Sequence, residues 1–121
     1  MPCVLIMEDD EEVRKALRTV LEESGYKVME AANGEKGLKI QRTIPSDLVI
    51  MDILMPEKEG LEVIKELRRD FPNTKIIAIS GGGYVGPDYY LDAAKKMGAS
   101  YVFEKPFDPR EIMAAVKQVL G

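Results

Sequence analysis

Five short apolar runs, each separated from the next by a stretch of helical period, constrain this chain more than any other feature. Val4-Leu5-Ile6-Met7, residues 26–31, residues 48–51, residues 75–80 and residues 101–103 read as strands. The first intervening stretch carries Val13, Ala16, Leu17, Val20 and Leu21 three and four apart, an apolar stripe along one helix face, and Gly25 closes it. Residues 35–41 form a short second helix, and Leu61, Ile64, Leu67 and Phe71 mark a third. Pro87-Asp88 opens a fourth, running to Met97, and Pro109 starts a fifth with Ile112, Met113, Val116, Val119 and Leu120 inward. Strict alternation of this kind predicts a doubly wound α/β domain, five parallel strands with five helices on both faces. The unbroken run Leu48-Val49-Ile50-Met51 fits a central strand covered on both sides.

Composition narrows the chemistry. The 121 residues suit one domain, expected over 1–121. A single cysteine excludes an internal disulfide framework, and the lack of histidine argues against zinc sites and histidine-based triads. With 17 Lys and Arg against 21 Asp and Glu, the net charge is −4, so direct nucleic-acid binding is not expected. No apolar run approaches the ~18 residues of a membrane span. The N-terminus lacks the pattern of a signal peptide, so a cytoplasmic location is expected.

In an open parallel sheet, ligands bind beyond the carboxyl ends of the strands. The first strand is followed by Glu8-Asp9-Asp10, the third ends in Asp52, the fourth ends in Ser80-Gly81, and the fifth runs into Glu104-Lys105-Pro106. The fold therefore gathers Glu8, Asp9, Asp52, Ser80 and Lys105 at one edge. Carboxylates gathered together repel unless a cation lies among them, and oxygen ligands favour a hard ion such as Mg²⁺, with Mn²⁺ also suited. Such a set can orient Asp52 as a nucleophile toward a phosphoryl group, with Lys105 stabilising charge and Ser80 hydrogen-bonding a phosphoryl oxygen. Each signal has a plainer reading when taken alone. Acids before a helix favour its dipole, an Asp after a strand is a common turn residue, and a lone Ser or Lys is an ordinary surface group. Their joint placement at four strand ends carries the chemical reading.

The sequence resembles the receiver domain of two-component response regulators over essentially its whole length. The resemblance rests on Val4-Leu5-Ile6-Met7-Glu8-Asp9-Asp10, on Ser46-Asp47-Leu48-Val49-Ile50-Met51-Asp52-Ile53-Leu54-Met55-Pro56, on Gly60-Leu61-Glu62-Val63, and on Gly98-Ala99 with Lys105-Pro106-Phe107. It implies a flavodoxin-like topology and a phosphoacceptor module, not an enzyme, in which Asp52 takes a phosphoryl group from a histidine kinase or histidine phosphotransfer protein. It implies that Glu8 (through water), Asp9, Asp52 and the backbone carbonyl of Leu54 hold Mg²⁺. Ser80 matches the switch hydroxyl. Lys105 matches the site lysine, aimed inward by a cis Lys105–Pro106 bond. The output surface is then expected on the fourth helix, fifth strand and fifth helix, in a monomer or weak dimer.

Three departures stand out. The acidic pair is Glu-Asp where Asp-Asp is commoner. Val102 stands where the family often carries Tyr or Phe, and Tyr101, one residue earlier, faces the opposite way along a strand. Leu54 and Gly82 stand at the two positions that tune dephosphorylation, and neither side chain can orient water, which predicts slow self-dephosphorylation. The loop with Gly81-Gly82-Gly83 is expected to tighten on phosphorylation. A flavin-phosphate carrier would need a Gly/Ser/Thr-rich first loop, where this chain has acids. A metal-dependent phosphatase would carry its nucleophile after the first strand. A degenerate receiver binding partners without phosphorylation is the alternative, and the intact set of Glu8, Asp9, Asp52, Ser80 and Lys105 argues against it. The kinase, the output partner, and whether the domain stands alone or belongs to a longer regulator stay open.

Overall fold

The computed structural model describes residues 2–54, 60–81 and 87–121, with residues 87–91 described by backbone alone. Strands and helices alternate without exception: β1 (Cys3–Met7), α1 (Glu11–Glu23), β2 (Lys27–Ala31), α2 (Gly34–Thr43), β3 (Leu48–Asp52), α3 (Gly60–Asp70), β4 (Lys75–Ser80), α4 (Pro87–Lys96), β5 (Tyr101–Glu104) and α5 (Pro109–Leu120). All strand pairs are parallel, in the order β2-β1-β3-β4-β5. This is the doubly wound, flavodoxin-like arrangement expected from the alternation, and the strand order reverses at β1 and β3.

The period of two along each strand divides the core into two layers. Leu5, Met7, Val49, Met51, Ile76 and Ala78 point one way and meet Leu38 of α2, Val63, Ile64 and Leu67 of α3, and Ala94 of α4. Val4, Ile6, Leu48, Ile50, Ile77 and Ile79 point the other way, onto Leu17 and Leu21 of α1 and Ile112, Met113 and Val116 of α5. β1, β3 and most of β4 are buried on both faces, which is why they read as unbroken apolar runs.

Local signals set the helix ends. Asp10 caps α1 by accepting from the N–H groups of Glu12 and Val13, Asn33 caps α2, and Asp108 caps α5 ahead of Pro109. Gly25 follows α1 at φ +90°, where a side chain would be strained. Gly60 opens α3 against the backbone of Ile53, whose carbonyl accepts its N–H at 2.9 Å. A Cβ at Gly60 would fall 2.4 Å from Ile53 Cα. One expectation needs correction. Ala16 is exposed, because its position on α1 opens onto a recess beside Phe107 instead of the sheet. Asp52 is the last residue of β3, as expected, and pairs in register with Ile79 of β4.

Candidate phosphoacceptor site

The carboxyl ends of β1, β3, β4 and β5 bring together the residues that sequence reasoning singled out. Carboxylate oxygens of Glu8, Asp9 and Asp52 lie within 4.8 Å of one another. Glu8 and Asp52 are buried, at 1% and 4% exposure, whereas Asp9 is exposed. Burial of charged groups at this level requires compensation. Lys105 supplies part of it, since its Nζ lies 2.8 Å from Asp52 Oδ2 and 2.8 Å from Glu8 Oε1. The other oxygen of Asp52 accepts the Leu54 N–H at 2.9 Å, and Glu8 Oε2 accepts the Asp10 N–H at 3.1 Å.

Backbone contacts explain the reach of Lys105. Its N–H donates to the Ser80 carbonyl at 2.8 Å, extending the β4–β5 ladder into the loop, and the Lys105–Pro106 bond is cis, as the resemblance implied. Its aliphatic stem passes over Gly81, where a Cβ would come within 3.1 Å of Lys105 Cδ. Ser80 is completely buried at the end of β4, one residue beyond the register partner of Asp52. Among the described residues its Oγ has no hydrogen-bond partner, an unusual state for a buried hydroxyl.

The electrostatics follow from this crowding. Burial pushes the Glu8 carboxyl up to about 7; the Lys105 hydrogen bond opposes the rise, and the neighbouring Asp52 charge adds to it. For Lys105, burial disfavours the ammonium, but hydrogen bonds to Asp52 and Glu8 outweigh it and hold its pKa above the ordinary lysine value. Three carboxylates against one ammonium leave an excess of negative charge among oxygen-only donors, the chemistry of a hard divalent cation. The residues present therefore fit Mg²⁺.

On β5, Tyr101 is exposed. Val102 packs against the layer containing Met51 and Ala78, and Phe103 against the opposite one. Tyr101 does not take over the place of Val102. Met55, Pro56 and Gly82, together with the loop beyond Gly81, lie outside the described residues. Sequence reasoning missed Arg14 and Glu30. Arg14 Nη1 donates to the Glu8 carbonyl at 2.8 Å, and its Nε pairs with Glu30 Oε1 at 3.1 Å. The pairing is between a helix and a neighbouring strand, and only the register of β1 and β2 brings the two together.

Fold and site define a class, and comparison with known proteins agrees with it. Residues 4–117 match the response regulator receiver domain family, and the chain belongs to that family. It is 36% identical to the chemotaxis protein CheY of Thermotoga maritima over 117 residues, covering 96% of this chain and 95% of that protein. It is 33% identical to the alkaline phosphatase synthesis transcriptional regulatory protein PhoP of Bacillus subtilis, covering 97% of this chain but only 48% of the relative. The chain thus spans about half the length of some relatives and nearly all of others. Among solved structures, the response regulator TrrA of Thermotoga maritima, in complex with Mg²⁺ and BeF, superposes with a TM-score of 0.85 at 34% identity. That match covers 98% of this chain and 99% of TrrA. Receiver domains are signalling modules of two-component systems that bind Mg²⁺ at an acidic site.

Proposed function

We propose that residues 1–121 form one receiver domain in which Asp52 accepts a phosphoryl group from a histidine kinase or a histidine phosphotransfer protein. The observation that carries this reading is the setting of Asp52. It is a buried carboxylate with one oxygen held by the Leu54 N–H and the other by Lys105, inside a cluster of three acids. In the transfer, a carboxylate oxygen of Asp52 attacks phosphorus, the bond from phosphorus to the donor imidazole nitrogen breaks, and an acyl phosphate forms. Lys105 Nζ, already hydrogen-bonded to Asp52, follows the charge onto a phosphoryl oxygen. Ser80 Oγ, buried without a partner among the described residues, is the donor available to another.

Glu8, Asp9, Asp52 and the Leu54 carbonyl would hold Mg²⁺, or Mn²⁺ with the same oxygen donors. When bound, the ion supplies charge neutralisation for an anionic donor approaching three carboxylates. The phosphorylated state is read out through the surface of α4, β5 and α5, where Tyr101 is exposed. It is read by a protein partner and not by nucleic acid directly, in a monomer or weak dimer. No described helix is long and apolar enough to cross a membrane, and the reading takes the domain as cytoplasmic.

Intact-mass spectrometry after incubation with acetyl phosphate and Mg²⁺ tests the proposal. Wild type should gain the mass of one phosphoryl group, and Asp52→Asn should gain none. An adduct on both proteins would refute Asp52 as acceptor. No adduct on either, with a histidine phosphodonor also tried, would favour the phosphorylation-independent module.

A further inference from the structure

We propose that Arg14 is a positioning residue for the acidic site. Tethered by Glu30, it fixes the peptide between Glu8 and Asp9 and so sets the direction in which both carboxylates are presented. The proposal rests on the reading of that site as a metal-binding phosphoacceptor centre.

The sheet alone does not hold this peptide. β1 ends at Met7, and the last contact in line with the ladder is the Glu8 N–H donating to the Ala31 carbonyl at 3.0 Å. Beyond it, the Glu8 carbonyl would be free to turn, and turning it would rotate the attached Asp9. Arg14 removes that freedom. Its Nη1 donates to the Glu8 carbonyl at 2.8 Å, while its Nε is held by Glu30 Oε1 at 3.1 Å. Glu30 pairs in register with Ile6, so the arginine is anchored to the same edge of the sheet that receives the Glu8 N–H. Both peptide groups of Glu8 are therefore tied to β2, one directly and one through a guanidinium. The two side chains are only 19% and 25% exposed, so the pair is partly shielded from water. Arg18 also pairs with Glu30, and with Glu22 at 3.2 Å, but among the described residues it makes no hydrogen bond or ion pair with Glu8. Arg18 thus shares the link between α1 and β2 without sharing the contact that matters here.

That difference separates positioning from mere support. Groups that orient metal ligands typically change metal affinity by about 10- to 100-fold when removed. Isothermal titration of Mg²⁺ into wild type, Arg14→Ala, Arg14→Met and Arg18→Ala, with the melting temperature of each, makes the comparison. Arg14→Met keeps the aliphatic stem and guards against loss of folding. The expectation is Mg²⁺ binding about tenfold weaker in both Arg14 variants and within about twofold of wild type in Arg18→Ala, at comparable melting temperatures. Glu30→Ala should weaken binding too, and adding it to Arg14→Ala should change little further, because the two act as one unit. Wild-type affinity in both folded Arg14 variants would overturn the positioning role. Failure of wild type itself to bind Mg²⁺ would instead overturn the reading of the site.

Discussion

Lys105 and Asp52 lie 53 residues apart in the chain, yet the lysine ammonium, just past β5, sits 2.8 Å from the carboxylate that ends β3, with β4 between the two strands. The same ammonium reaches Glu8 at an equal distance, so a single positive charge serves two buried acids. It thereby competes for oxygens that a divalent cation would use. Lys105→Gln should bind Mg²⁺ severalfold more tightly than wild type, because the competing charge is gone. It should form the acyl phosphate about tenfold more slowly, because charge on the transferring oxygens loses a donor. Calorimetry with Mg²⁺ and the time course of adduct formation check the two effects, and their opposite signs are the signature.

The raised Glu8 pKa makes metal-free stability depend on pH. The folded protein keeps the Glu8 proton up to about 7, whereas an unfolded glutamate releases it near 4.5. Between those values the folded state holds the extra proton, so stability is greatest below the window and declines as pH rises through it. The chain has no histidine to add a competing titration near neutrality. Melting temperatures in chelator should fall from pH 5 to pH 7.5 by a component that Glu8→Gln removes. Saturating Mg²⁺ should oppose the decline, since it favours the ionised carboxylate.

At the opposite end of the sheet, Gln41 is fully buried in a polar cluster. Its Oε1 accepts from the Ser46 N–H at 3.0 Å and from Ser46 Oγ at 2.6 Å, while its Nε2 donates to Thr74 Oγ1 at 3.1 Å. Gln41→Leu would strand buried donors and should destabilise the fold by about 2–3 kcal/mol in urea denaturation. Mg²⁺ affinity should stay unchanged, since the cluster holds the entries to β3 and β4, not their exits.

Leu54 lies two residues past Asp52, partly buried, with a side chain that cannot direct water. Leu54→Asn should hydrolyse the acyl phosphate severalfold faster than wild type, followed as loss of the adduct after the phosphodonor is removed. An unchanged half-life would show that this position does not limit hydrolysis here.

Much of this arrangement was legible in residue order, and the limits are physical. Asp52, Lys105, Glu8 and Asp9 could be found because parallel alternation forces strand ends to one edge, whatever the loops do. The fall of Ala16 outside the core could not be found, since helical period marks a stripe but not where along it the sheet stops. Gln41 offered no signal, because its burial depends on Ser46 and Thr74 meeting it from other segments. Arg14 and Glu30 were equally silent: each looks like an ordinary helix or edge-strand charge until β1 and β2 are placed in register.

The most direct test of the central claim locates the phosphoryl group chemically. Protein phosphorylated with acetyl phosphate and Mg²⁺ is reduced with borohydride, which converts an acyl phosphate on aspartate to homoserine, and is then digested and mapped. Homoserine is expected at position 52 alone, and at no position when chelator precedes the phosphodonor. Homoserine at Asp9 or Asp10, or an adduct that forms without a divalent cation, would contradict that claim.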